Sequence, residues 1–244
     1  MIQLKNLSKR YGGKKALTDL SLTVEKGEIF GFIGPNGAGK TTTIKLMSGL
    51  LLPTMGQVTI NGVDMLREPE NAKKQIGLIP DRPYLYEKLT GMEFMAFTAE
   101  LYGSHLDGFH ERAKGLLKKF SILDQSNEMI ESYSHGMKQR LIMASALFHD
   151  PPVLIVDEPM VGLDPRGIRM VRDLFKGLSA HGTTIFMSTH TLNLAEDVCG
   201  RIGIIDNGKL VAIGTIEELK KKAKTGEGGL EEIFFQLTEE ITHI

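Results

Sequence analysis

The chain has 244 residues, 41% of them hydrophobic and 24% charged, which is ordinary globular composition with enough apolar material for a large core in one sizeable domain or two small ones. Lys and Arg number 29 against 30 Asp and Glu, and the formal charge of −1 excludes a global positive field that would draw in nucleic acid or anionic lipid. Cys199 is the single cysteine, which excludes an internal disulfide and a cysteine-based metal cage and makes a reducing cytosol the expected compartment.

In chain order, Met1 to Arg10 lacks the continuous apolar core of a secretory signal, and no stretch approaches the roughly 20 apolar residues of a membrane span. Ile2 to Leu7 and Leu17 to Val24 read as successive strands, expected to be antiparallel. Between them Tyr11 precedes Gly12 and Gly13, where a flexible loop would carry its ring against a purine; local packing is the plain alternative. Ile29 to Ile33 reads as a buried strand, and the stretch from Gly34 to Thr41 (Gly-Pro-Asn-Gly-Ala-Gly-Lys-Thr) then fills the pattern GxxxxGK[ST] before a helical run from Thr42 to Leu50. Glycines let the amides of Gly34, Asn36, Gly37, Ala38, Gly39 and Thr42 turn toward phosphate oxygens. Lys40 reaches the terminal phosphates and Thr41 offers Mg²⁺ a hydroxyl. This is the phosphate loop of a P-loop NTPase, with a nucleoside triphosphate and Mg²⁺ as expected ligands; the loop does not itself distinguish ATP from GTP, although the Asn-Lys-x-Asp pattern of guanine readers is absent.

Asn61-Gly62 and Asn207-Gly208 read as hairpin turns, and Ile76 to Ile79 as a further strand. From about 82 to 150 the pattern is helical, with a capping box at Thr90 and Glu93. Val153 to Val156 is an apolar strand ending in Asp157 and Glu158, a costly placement unless the carboxylates meet water or a cation. Beside a phosphate loop, Asp157 reads as a Mg²⁺ ligand and Glu158 as the base that deprotonates the attacking water; a helix cap is the plain alternative. Pro165 suits a first helical turn. Thr184 to Met187 leads through Ser188 and Thr189 to His190, expected at the same sheet edge and within reach of a γ-phosphate, although a lone histidine is often an ordinary packed side chain. Ile202 to Ile205 is another strand, Thr215 and Glu218 form a second capping box, and the basic run Lys220-Lys221-Lys222-Ala223-Lys224 reads as a solvated helix face. The fold class is therefore α/β, with a mostly parallel central sheet, an antiparallel β flank and an inserted helical subdomain. We expect one composite domain over 1–244, with a catalytic core at 1–81 and 151–215, a helical subdomain at about 82–150 and a short helical tail at 216–244.

The order of these motifs resembles the nucleotide-binding subunits of ABC transporters over nearly the whole chain. The family signature, usually Leu-Ser-Gly-Gly-Gln, is matched by Tyr133-Ser134-His135-Gly136-Met137, and Gly162-Leu163-Asp164-Pro165 is similar to the family's D-loop. The resemblance implies a homodimer or pseudo-dimer with a second such ATPase, in which Ser134 and Gly136 of one subunit meet the γ-phosphate held by the other. It also implies separate transmembrane permease subunits, a peripheral place on the cytoplasmic face of the membrane, and no nucleic acid or metal cluster as partner. Tyr11 matches the adenine-stacking aromatic. Asp81 departs from the family's usual glutamine, which contacts Mg²⁺ and the attacking water, so ATP binding is expected to be intact and coupling altered. His135 departs from glycine, and its imidazole is read as a group for phosphate. The residues from about Arg82 to Tyr102 are candidates for docking onto the membrane subunits. The variant signature and the tail after Gly214 resemble bacterial export-type subunits, with a soluble switch on ribosomes or DNA as the alternative.

Overall fold

The alternation of short apolar runs with amphipathic ones builds two sheets and a layer of helices. The computed structural model describes residues 1–82, 84–103, 108–160, 162–223 and 229–242. Lys224 of the basic run, positions 83 and 104–107 of the expected helical stretch, and 225–228 and 243–244 of the tail lie outside the described residues.

The chain runs through β1 (Ile2–Tyr11), β2 (Lys14–Val24), β3 (Ile29–Ile33), α1 (Lys40–Met47), β4 (Met55–Ile60), β5 (Val63–Asp64), α2 (Pro69–Lys74) and β6 (Ile76–Ile79). Three helices follow: α3 (Gly91–Leu101), α4 (Phe109–Lys119) and α5 (His135–Ala146). The second half alternates β7 (Val153–Asp157), α6 (Pro165–Ala180), β8 (Thr184–Thr189), α7 (Leu192–Val198), β9 (Arg201–Asp206) and β10 (Lys209–Gly214), then closes with α8 (Ile216–Ala223) and α9 (Leu230–Thr242).

Strands β2, β1, β4 and β5 form an antiparallel sheet, and β10, β9, β3, β8, β7 and β6 form the second sheet in that order. In the second sheet only the β10–β9 pair is antiparallel. This is the α/β fold with an antiparallel flank that the sequence pattern implies. Strand β1 runs on to Tyr11, beyond the expected end at Leu7, because its pairing with β2 continues through irregular register to Tyr11 opposite Lys14. Tyr11 is thus the last residue of a strand, where a loop was expected.

Every residue of β3, β7 and β8 is buried, as parallel strands covered on both faces require, which is why they read as unbroken apolar runs. One face packs Phe30, Phe32, Val153, Ile155 and Phe186 against the antiparallel sheet and α1; the other packs Leu154, Val156, Ile185 and Met187 against the helical layer. The Phe186 ring sits 5.8 Å from Phe30 and 5.2 Å from Phe32. Full burial of each such ring stabilises the fold by about 1.5–3 kcal/mol, so the central strands are held firmly and their ends inherit that rigidity. Because β6, β7, β8 and β3 are parallel neighbours, in register at Ile79 and Val156, Asp157 and Ser188, and Ile33 and Thr189, their carboxyl ends reach one edge together. Both capping boxes form, Asn61-Gly62 and Asn207-Gly208 turn the two hairpins, and Asp164 caps α6 with Pro165 in its first turn. Among the described residues no helix is long and apolar enough to cross a membrane.

Candidate active site

At that edge lies a cleft of about 770 Å³ lined by Tyr11, the loop from Pro35 to Thr42, Asp81, Asp157, Glu158 and His190. The loop's shape comes from its glycines. Gly39 has φ +115, and a Cβ there would stand 2.7 Å from Leu17 Cδ2 and 3.0 Å from the Ala16 carbonyl, so a larger residue is excluded both by conformation and by space. Gly39 is also the N-cap of α1, with no side-chain cap bond, so the positive end of the helix and its first amides face the cleft.

Lys40 is buried and its Nζ donates to the carbonyls of Gly34 (2.7 Å) and Pro35 (3.1 Å). Burial pulls its ammonium below the ordinary lysine range, while Glu158 and Asp157 oppose that fall by favouring the charge. Thr41 Oγ1 lies 3.4 Å from Asp157 Oδ2, and Asp157 Oδ1 accepts from Ser188 Oγ. Burial pushes the Asp157 carboxyl above the usual range, with the charges of Glu158 and Asp81 adding to the rise and the bonds from Ser188 and Thr41 opposing it. A buried carboxylate that costs this much to ionise, set beside a hydroxyl, is a pair of hard oxygen donors that fits Mg²⁺.

Glu158 has φ +49, a strained conformation for a non-glycine residue that costs on the order of 1–3 kcal/mol. Its amide donates to the Ser188 carbonyl, and this turn swings its side chain away from Asp157 toward β8. There its carboxylate accepts from Thr189 Oγ1 at 3.2 Å and from His190 Nδ1 at 2.8 Å. A carboxylate can only accept, so Nδ1 of His190 is the donor of this bond. The arrangement is a carboxylate oriented by two neighbours, in a cleft whose other wall is the glycine-rich loop.

Ser134 and Gly136 stand outside this cleft, at the start of α5, where Ser134 caps the helix by accepting from the Met137 amide. The cleft also has walls that motif reading missed: Lys14, Lys15, Ala16, Asp206, Asn207 and Gly208. The β9–β10 turn reaches it because Gly208 donates to the Ala38 carbonyl and accepts from the Thr18 amide, both at 2.9 Å or less. The Asn-Gly pair signals the turn; its docking on the phosphate loop has no local signal.

Comparison with known proteins agrees with this geometry. The family model described as ABC transporter matches residues 17–161. The linearmycin resistance ATP-binding protein LnrL of Bacillus subtilis (strain 168) is 39% identical over 219 residues, covering 90% of this chain and 70% of the relative. The bacitracin transport ATP-binding protein BcrA of Bacillus licheniformis is 38% identical, covering 91% of this chain and 72% of the relative. Among solved structures, an ATP-binding subunit of an ABC transporter superimposes with a TM-score of 0.93 at 35% identity over 98% of this chain and 99% of its own. A dimeric bacterial ABC transporter cassette gives 0.81 at 28% identity over 88% and 98%. With a family model spanning more than half of its length and the phosphate loop and paired carboxylates at one sheet edge, the chain belongs to the ABC transporter family, as one of its ATP-binding and ATP-hydrolysing cassettes.

Proposed function

We propose that this cassette works as one of a pair, a homodimer or pseudo-dimer, on the cytoplasmic face of a membrane, and drives export through separate transmembrane permease subunits. The dimeric structural neighbour supports the pairing, and relatives named for drug resistance and antibiotic transport support export. The chain divides into a catalytic core at 1–81 and 151–215, a helical subdomain at about 82–150 and a tail from 216. The observation that carries the catalytic reading is Glu158, held by Thr189 and His190 at the end of β7 and facing the phosphate loop.

In this reading Tyr11 stacks on adenine, the amides of Gly34 and of Asn36 to Thr42 cradle the phosphates, and Lys40 exchanges its two loop carbonyls for phosphate oxygens. Thr41 and Asp157 would hold Mg²⁺, with Asp81 near enough to Asp157 to add its charge to that site. Mg²⁺ at that place would supply charge neutralisation to the phosphates. Glu158 takes a proton from water as the water oxygen attacks the γ-phosphorus. The bond from that phosphorus to the bridging oxygen breaks, and ADP and phosphate leave. His190 Nδ1–H holds the Glu158 carboxylate in place, and the ring lies where it can sense the γ-phosphate. Ser134 and Gly136 supply a hydroxyl and a backbone amide at a helix start to the nucleotide of the partner cassette.

The test is Glu158→Gln. Removing a general base lowers turnover by about 10²–10⁴-fold, and the variant should still bind ATP. Wild-type turnover in Glu158→Gln would sink the assignment. Recovery of the tagged protein from its source membranes together with a polytopic membrane protein that raises its ATPase rate would support the export reading. Recovery with ribosomes or DNA would replace it.

A further inference from the structure

The His135 ring lies over Gly162, in the segment that links Glu158 to α6: a Cβ built on Gly162 would stand 2.1 Å from His135 Cδ2 and 2.7 Å from Nε2. Gly162 has φ +79, so both its backbone and the histidine above it demand that it lack a side chain. Two further contacts join the same pair of segments. A Cβ on Gly136 would come within 3.3 Å of the Gly162 carbonyl. One turn along α5, Arg140 Nη2 donates to Asp164 Oδ1 at 3.1 Å, and that same oxygen accepts from the Gly167 amide at 3.0 Å as the cap of α6. The first turns of α5 therefore rest on 162–167 through a ring in a glycine seat, a close backbone approach and an ion pair.

We propose that His135 is a positioning residue that fastens the start of α5 to Gly162, so that the α5 terminus and the segment after Glu158 move as one body. The ring acts by shape: it fills the space above Gly162, where the glycine usual at the His135 position would leave a gap. Gly162 stands four positions after the strained Glu158 in the chain, and the helix end it meets carries Ser134 and Gly136. The inference rests on the proposed pairing for its consequence, because Ser134 and Gly136 are the groups offered to the partner's nucleotide, but the contact itself is within one chain.

The experiment is a double-mutant cycle in the full chain with His135→Gly, Gly162→Ala and both, joined by His135→Phe, reading kcat and KM for ATP. His135→Gly should lower kcat about tenfold, short of the roughly hundredfold that misplacing a reacting group costs, with KM for ATP changed less than about twofold. Gly162→Ala should lower kcat further, and adding His135→Gly to it should recover part of the rate, because the clash with the ring is then gone. His135→Phe keeps a flat ring without nitrogens and should restore most of the rate lost in His135→Gly. Additive single effects, unchanged kcat in His135→Gly, or a Phe variant as slow as the Gly variant would each overturn the proposal, the last by showing that the ring nitrogens act on phosphate. ATP-dependent dimerisation of Glu158→Gln, followed by size-exclusion chromatography, separates the two readings: a monomer there ends the pairing, while the cycle in kcat still decides the His135 contact.

Discussion

Ser188→Ala perturbs the site through one bond. Ser188 Oγ donates to Asp157 Oδ1 where both residues are buried, and the other oxygen of Asp157 meets the Thr41 hydroxyl only at 3.4 Å. A hydrogen bond to a charged group contributes about 1.5–3 kcal/mol, and losing a hydroxyl leaves little cavity, so we take ~2 kcal/mol. In a chain of this size each kcal/mol moves Tm by about 2–4 °C, which predicts a fall of about 4–8 °C. The loss depends on pH with a definite sign. Burial already holds the folded Asp157 carboxyl above its unfolded value, against the pull of the Ser188 bond. A group raised in this way favours the fold fully below its unfolded pKa, about 3.9, and loses that favour as pH rises through the folded value. Removing Ser188 raises the folded value further, so the deficit of the variant is larger at pH 7.5 than at pH 5, which lies on the side toward protonation of Asp157. Thermal unfolding of the nucleotide-free wild type and variant at both pH values reads this directly. Equal deficits at the two pH values would refute the charge-based account, and no deficit at either would refute the bond.

Three further outcomes are expected. Gly39→Ala forces φ +115 on a residue with a Cβ 2.7 Å from Leu17 Cδ2, and strain of about 1.4–2.8 kcal/mol predicts ATP binding weakened about 10- to 100-fold in equilibrium titrations with circular dichroism unchanged. Tyr11→Ala removes a stack worth about 0.5–1.5 kcal/mol and should weaken ATP about 2- to 12-fold, while Tyr11→Phe should not; equal losses would assign the effect to the hydroxyl. His149 stacks on Tyr102 at 3.7 Å, shares the Ile76 carbonyl with the Tyr102 hydroxyl, and has a buried Nδ1 without a partner, so burial depresses its pKa; the raising effects of the Ile76 bond and Asp150 are smaller, and Arg112 adds to the fall. A depressed folded value means that stability is complete above the unfolded pKa, about 6.5, and falls as pH drops toward the folded value, so His149→Phe should flatten the slope of urea unfolding stability between pH 7 and 5.

What the sequence made legible was local chemistry. The phosphate loop is spelled by consecutive residues, and Asp157 and Glu158 stand out because two carboxylates end a run that is otherwise apolar. The parallel sheet could be read from the same runs, since strands covered on both faces have no polar alternation to hide them. Residues brought in by long-range pairing were not legible. Asp206 to Gly208 line the cleft because β9 pairs with β3 and Gly208 docks on Ala38; Lys14 and Lys15 line it because β1 continues through the polar Ser8-Lys9-Arg10 to close its hairpin at Tyr11. Ser188 reads as a strand residue, yet its hydroxyl is the donor that makes a buried Asp157 tolerable. His135 shows the limit of motif reading most clearly: the departure from the resembled signature was visible, but not that the ring would find Gly162, which lies 27 positions further along the chain.

The charges of the cleft bear on what enters it. Three lysines, Lys14, Lys15 and Lys40, face four carboxylates, Asp81, Asp157, Glu158 and Asp206, and the two signs are unevenly placed. Lys14 and Lys15 flank the Tyr11 end, whereas Asp157 carries the charges of Glu158 and Asp81 on its own ionisation. A bare triphosphate laid along the loop would bring its most negative end against that carboxylate cluster, with Lys40 as the nearby cation. Thr41 and Asp157 together offer two oxygen donors, and among the described residues no group of three carboxylate, imidazole or thiol side chains converges on a metal position. Thr41 and Asp157 would supply two of the six oxygens that Mg²⁺ takes, which leaves room for oxygens from outside these side chains. A cation held by Thr41 and Asp157 would offset the charges of Glu158 and Asp81, which add to the rise that burial imposes on the Asp157 carboxyl.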